Sequence, residues 1–225
     1  KCFKWVWMPT VDASPQNEEW IDSFASADTV LTYSDWAADV LKEHSPSINV
    51  KRSAPPSASE EFKPVADKNA HKRQMGVNPD WKIIGTVMRN QRRKLFPELF
   101  EAFGKYLKET GEKNTYLYCH TSYPDNGWDL PRYLVDSEVM SRVLFTYVCS
   151  SCNNVTFTHF ADTVQPCSKC GAFASKLTSV SSGASRSVLA GIYNLFDVYI
   201  QPASSEGLLV VFQSWLQIIP QWKLR

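Results

Sequence analysis

Two groups of residues in this 225-residue chain have the types and spacing to do chemistry. The first is Ile83-Ile84-Gly85-Thr86-Val87-Met88-Arg89-Asn90-Gln91-Arg92-Arg93-Lys94-Leu95-Phe96, an apolar run followed by four cations and then an amphipathic segment. A strand that feeds a helix through such a cluster puts fixed positive charge past its carboxyl end, beside a helix start. Both features favour a phosphate-bearing ligand. The second group is Cys149-Ser-Ser-Cys152 and Cys167-Ser-Lys-Cys170, two C-x2-C pairs separated by fourteen residues. That spacing suits tetrahedral Zn2+, each short knuckle supplying two thiolates. Free thiols and two disulfides are the other states open to four cysteines, and nothing secretory in the chain favours the latter. Four thiolates fill the coordination sphere, so the metal is expected to be structural. Cys2 and Cys119 read as ordinary thiols.

These groups need elements to position them. Glu18 to Ala27 has helical spacing with Trp20, Ile21 and Phe24 on one side, and 28 to 33 reads as a strand. Ser34 caps a helix through Glu43 whose apolar stripe is Trp36, Val40 and Leu41. Residues 44 to 64 hold four prolines and mark a connector. Beyond it the spacing predicts a short polar helix over 67–75, a strand over 81–88 and an amphipathic helix over 96–109. A strand over 115–119, a helix over 137–142 and a strand over 143–148 follow. After the cysteine-bearing interval 149–177 come a helix over 185–196 and a strand over 198–201. Strands alternating with helices imply an α/β protein with a mostly parallel, Rossmann-like sheet covered on both faces. Ligands of such sheets sit past the carboxyl ends of the strands, where Arg89, Cys119-His120-Thr121 and Glu206 fall. His120 is therefore a candidate ligand contact, against the alternative of a satisfied loop histidine.

Composition limits the function. The formal charge is +1, which argues against a nucleic-acid binder that works by bulk electrostatics. The interval Asn153 to Pro166 has one histidine and no Lys or Arg, so a nucleic-acid role for the cysteine insert lacks its basic patch. No G-x-G-x-x-G opens a helix, which disfavours a dinucleotide-dependent dehydrogenase. The longest apolar run, near 208–212, is far shorter than the roughly 20 residues a bilayer requires. The cytoplasm is the default location, with peripheral membrane contact left open.

Three stretches resemble the large retaining glycosyltransferase family four, whose GT-B fold has two facing Rossmann-like domains. They are Gly85-Thr-Val-Met-Arg89-Asn-Gln-Arg-Arg-Lys94, Leu189-Ala-Gly-Ile-Tyr193-Asn-Leu-Phe-Asp197-Val-Tyr-Ile-Gln-Pro202, and Ser205-Glu206-Gly207. The segment from Trp5 to Asp12 and that from Thr29 to Ser34 resemble the end of the acceptor-side domain. The resemblance implies an acceptor-side portion over 1–50, a partial donor-binding domain over 51–225 and a zinc-ribbon insert over 149–177. It implies a hexosyltransferase-type enzyme that moves a sugar from a nucleotide-diphosphate donor to the hydroxyl of a glycan or other acceptor, with retention.

Carried over, Arg89 and Lys94 grip the donor diphosphate, Glu206 orients the donor sugar hydroxyls, and Gly207 lets the backbone approach the donor. Arg92 and Arg93 read as solvated cations, Asp197 as a cap or ion-pair partner, and Asp12 as a candidate on the acceptor side. After Gly207 the pattern departs: Leu209 stands for the family's second glycine and Ser214 for its second glutamate. A truncated, frameshifted or fragmentary chain is one expectation from that departure. An inactive transferase-like binding or scaffold module with a structural zinc knob is the alternative function. The apolar segment 208–219 then calls for cover, by a substitute helix or by a protein partner.

Overall fold

The computed structural model describes residues 2–52 and 59–204, which divide into two compact units at that break. In the first unit, strands β1 (Val6–Trp7), β2 (Thr29–Thr32) and β3 (Val50–Arg52) form a parallel sheet in the order β1-β2-β3. Helices α1 (Glu18–Ala25) and α2 (Asp35–His44) make the crossovers. Each starts on a side-chain cap: Asn17 accepts from the Glu19 amide at 2.8 Å, and Ser34 from the Ala37 amide at 3.2 Å. Such caps are worth about 1 kcal/mol each. Val30, Leu41, Ile48 and Phe24 centre the core. The expected stripes need correction at both tryptophans, because Trp20 and Trp36 are 56% and 49% exposed. The buried face of α2 is Ala37, Ala38, Val40 and Leu41, whose small members allow close approach and rotate Trp36 off the contact.

In the second unit, α3 (Lys68–Gln74) leads to β4 (Lys82–Val87), α4 (Phe96–Thr110) and β5 (Thr115–His120). The expected helix over 137–142 is displaced. Residues Leu130–Asp136 form α5, with Pro131 in its first turn, and Met140–Arg142 make only a 3-10 turn. A proline suits a helix start, where its missing N–H has no partner to lose, and Glu138 at φ 60° cannot continue a helix. Strand β6 (Val143–Cys149), the short strands β7 (Val155–Thr158), β8 (Gln165–Pro166) and β9 (Phe173–Leu177), helix α6 (Arg186–Leu195) and β10 (Val198–Tyr199) complete the unit.

The sheet runs β10-β4-β5-β6-β9-β8, parallel from β10 to β6 and antiparallel beyond. The cysteine-bearing segment is therefore no separate knob. Its β7 pairs with β6 over Phe145–Val148 and its β9 over Tyr147–Cys149, so both edges of β6 are occupied where the pairings overlap.

Side chains alternate across this sheet as the pleat requires. Leu117 and Cys119 of β5 join the core with Phe96, Phe100, Leu130 and Leu134 of α4 and α5. Tyr118 instead meets the Phe196 and Phe157 rings at 5.5 Å. Gly85 of β4 is required on the α6 side, because a Cβ there would lie 2.2 Å from the buried Phe196 ring. Asp197 acts as an ion-pair partner. It accepts from the Ile83 amide at 2.8 Å and pairs with Lys68 and with the buried Lys72, both at 2.9 Å. A buried ammonium needs such partners, since burial of an unpaired charge is costly. This network fixes the start of β10 beside β4.

Candidate functional site

Because β10, β4 and β5 are parallel neighbours, their carboxyl ends leave the sheet along one edge. The loop after β4 is tied down there by polar contacts. The Met88 amide donates to the His120 carbonyl at 3.1 Å. Asn90 is buried; its Nδ2 donates to the Trp128 carbonyl at 2.8 Å and its Oδ1 accepts from the Trp128 amide at 2.9 Å. Trp128 Nε1 in turn donates to the Lys94 carbonyl at 2.8 Å, and the Arg92 guanidinium lies 4.7 Å over the Trp128 ring. Loops following two adjacent strands are thus held as one polar assembly. A buried amide whose donor and acceptor are both used is a strong positional constraint.

Arg89 is exposed but is not a lone cation. Its Nε and Nη2 donate to Asp125 Oδ2 and Oδ1 at 2.7 and 2.9 Å, a two-pronged geometry well matched to a carboxylate. The Asp125 side chain is 2% exposed, and it also accepts from Ser122 Oγ and the Asn126 amide. Hydrogen bonding from Arg89 holds its carboxyl well below the usual range, and Asp125 raises the Arg89 guanidinium. Asp125 lies in Tyr123-Pro124-Asp125-Asn126-Gly127, a turn-rich run directly past β5. Its breaker composition marks a loop, but nothing local in it names Arg89 as the partner.

Lys94 is buried, at 5% exposure, and its ammonium is pushed down to about 8, first by burial and then by neighbouring Arg93. Main-chain pairing sets its position. Lys94 bridges Ala203 in antiparallel fashion, the Leu95 amide donates to the Pro202 carbonyl at 3.3 Å, and the Ser204 amide to the Arg93 carbonyl at 3.0 Å. The end of the basic run is therefore laid against the chain that leads into Glu206. Glu206, Gly207 and the apolar segment 208–219 lie outside the described residues.

His120 ends β5 half-buried, with Nδ1 2.8 Å from Thr146 Oγ1, which is also 2.6 Å from the Tyr118 hydroxyl. Burial pushes the imidazole down to about 4, so it is neutral at pH 7. A neutral ring fixed at Nδ1 is suited to hydrogen bonding through Nε2. The structure thus puts Arg89, Lys94 and His120 on the same edge of the sheet, each held by a different contact.

The cysteine cluster is built by two matching knuckles. The Asn153 amide donates to the Cys149 carbonyl at 2.8 Å and the Gly171 amide to the Cys167 carbonyl at 2.9 Å. The Cys149 and Cys167 amides donate to the carbonyls of Asn154 and Ala172, at 2.9 and 2.8 Å. Each turn needs a left-handed residue just after its second cysteine, supplied by Asn153 at φ 56° and Gly171 at φ 73°. All four sulfurs lie within 4.8 Å of one another, with Cys149–Cys170 and Cys152–Cys167 at 3.7 and 3.6 Å. These separations are far beyond a disulfide bond and leave four thiols converging on one point. Backbone amides of Cys170 and Lys169 help lower the Cys167 thiol, while the thiol of neighbouring Cys152 is raised. The cluster can hold a metal ion.

No protein-family profile matches the chain, and no curated protein matches it in sequence. Solved structures do match in fold. The pneumococcal O-GlcNAc transferase GtfA, in complex with UDP and GlcNAc, superposes with a TM-score of 0.58 at 13% identity, covering 94% of this chain and 35% of its own. An E. coli structure described as trehalose-6-phosphate bound with UDP-2-fluoro glucose gives 0.56 at 12% identity, covering 95% and 50%. The chain spans about a third of the first and half of the second. Among the described residues no helix is long and apolar enough to cross a membrane. The fold is α/β of the GT-B type, with a four-cysteine cluster appended to its larger sheet.

Proposed function

We propose that this chain is part of a retaining glycosyltransferase of family four, transferring a sugar from a nucleotide-diphosphate donor to an acceptor hydroxyl. On this reading the first unit belongs to the acceptor side and the second binds the donor. The observation that carries it is Lys94: an ammonium desolvated at the carboxyl edge of β4, its main chain paired with Ala203 three residues before Glu206. A departing nucleotide diphosphate gains negative charge, and a cation fixed in a dry setting stabilises that charge more than it stabilises the ground state. Arg89 supplies the second cation on exchanging Asp125 for a phosphate oxygen. Neutral His120 donates from Nε2 to the donor. Glu206 orients the sugar hydroxyls, and Gly207 admits the donor to the backbone. The two structural neighbours hold UDP or a UDP-sugar analogue, which makes uridine donors the first to test.

The same reading gives the cysteine cluster a structural zinc ion, held by Cys149, Cys152, Cys167 and Cys170. Zinc–sulfur bonds of about 2.3 Å set tetrahedral sulfur–sulfur edges of about 3.8 Å. The Cys149–Cys170 and Cys152–Cys167 edges, 3.7 and 3.6 Å, sit close to that value.

A second reading, a transferase-like binding module without turnover, is favoured by one observation: Arg89 is already engaged at both prongs by Asp125. Thermal-shift screening with nucleotide-diphosphate sugars separates the two. Stabilisation by one donor, lost in Lys94→Met and weakened in Arg89→Ala, together with release of nucleoside diphosphate, supports the transferase. Stabilisation without release supports the module. No stabilisation by any donor removes the donor site from both.

A further inference from the structure

A cavity of about 250 Å³, with no residue of the basic run in its lining, lies between the cysteine-bearing segment and the loop after β5. Its walls are Tyr123, Val148 and Leu177, with Asp162, Thr163 and Lys176 at the polar rim together with three serines. The Tyr123 ring is fixed edge-to-face against Phe160, with centroids 5.2 Å apart, and its amide donates to the Thr178 carbonyl at 3.0 Å. The site is preorganised on that side by the sheet itself.

Size and charge select the ligand. A cavity of this volume falls below the roughly 300–1,000 Å³ that accommodates drug-sized molecules. Lys176 is the one cation among its lining residues, so no paired cations await a diphosphate. The nucleotide donor is excluded on both counts. An aromatic and aliphatic wall bordered by hydroxyls and one charge of each sign suits a ring with an apolar C–H face and a circumference of hydroxyl groups. Hydroxyl groups both donate and accept, so Ser, Thr, Asp and Lys can all be satisfied by them.

We propose that this cavity binds one neutral sugar residue of a glycan, a secondary subsite carried by the unit that the transferase reading gives to the donor. Tyr123 and Pro124 immediately precede Asp125, the partner of Arg89, so the cavity wall and the cation's anchor belong to one loop. A glycan seated there is held by the loop that orients Arg89.

Amide chemical shifts of the 15N-labelled chain test this without any donor, using neutral oligosaccharides of hexose and of N-acetylhexosamine. Saturable shifts at Tyr123, Asp162–Val164 and Ser179–Ser182, with Kd on the order of 1 mM, are expected for at least one of them. Asp162→Ala and Thr163→Ala, both at exposed positions, are each expected to weaken that binding at least about fivefold, about 1 kcal/mol. Absence of saturable shifts with every sugar up to about 20 mM, far above that Kd, overturns the proposal. The same shifts with UDP alone, or shifts indifferent to both rim variants, also overturn it. Glycan binding in a chain that no nucleotide sugar stabilises removes the donor reading and leaves the sugar subsite standing. Donor stabilisation without glycan shifts does the reverse.

Discussion

The cysteine cluster and the basic edge each depend on two pairs of contacts, but the contacts have different reach. In the cluster, each knuckle closes on itself within six residues, and the two are copies in backbone hydrogen bonding. On the basic edge, Arg89 is held from 36 residues away and Lys94 lies against a segment more than a hundred residues on. A locally closed site keeps its geometry through its own turns. One assembled from distant loops depends on the whole sheet.

Removing metal should produce the largest effect and break the comparison most directly. Structural tetrathiolate zinc contributes folding free energy, and Cys149→Ser or chelation is expected to cost several kcal/mol. Thermal unfolding with and without chelator, alongside metal analysis of one ion per chain, checks it. An unchanged Tm would mean that the knuckles stand without metal. Next in size is Lys94→Met, expected to weaken nucleotide-sugar binding about 10- to 100-fold, as loss of a charge-assisted contact worth about 1.5–3 kcal/mol implies. Calorimetric titration measures it.

Asp125→Asn should act in the opposite direction, freeing Arg89 for phosphate and tightening nucleoside diphosphate binding about 2- to 5-fold, or about 0.4–1 kcal/mol. Weaker binding in that variant would show that Asp125 positions Arg89 for the ligand and does not compete with it.

The smallest effects are in pH. Lys94 is lowered to about 8, so between there and its ordinary value the unfolded chain binds more protons, and this group's contribution to stability rises with pH. Donor binding is expected to fall over the same range as the ammonium is lost. His120, lowered to about 4, likewise binds more protons when unfolded. Its contribution is full above about 6.5 and falls as pH drops towards 4. Denaturant titrations between pH 4 and 10, comparing the parent chain with His120→Gln and Lys94→Met, isolate both.

The same contrast in reach explains what was legible in the sequence. The C-x2-C repeat names its own ligands, because four sulfurs of one type at that spacing have few other uses. Ser34 and the amphipathic spacing of 96–109 likewise mark their elements through local chemistry, and the parallel order follows from alternation. The Arg89–Asp125 pair was not legible, since an acidic residue in a Pro-Asp-Asn-Gly turn reads only as a turn. The burial of Lys94 was not legible for a related reason: the sequence marks it as a cation of the basic run but does not show that its main chain pairs with Ala203. The helix expected over 137–142 lies earlier, at Leu130–Asp136, because Pro131 marks a helix start that the apolar spacing does not register. The tryptophans were assigned to the core by hydrophobicity alone, and Trp36 gave way to the smaller side chains beside it.

The pairing of β7 and β9 with β6 bears on solubility. Without that segment, β6 would end the sheet as an apolar strand with free N–H and C=O groups, a template for another chain. The two knuckles anchor strands that cap this border, so the cluster guards the molecule against edge-to-edge association as well as bracing its fold. Disruption of the cluster should then appear as self-association through β6 before the rest of the sheet comes apart.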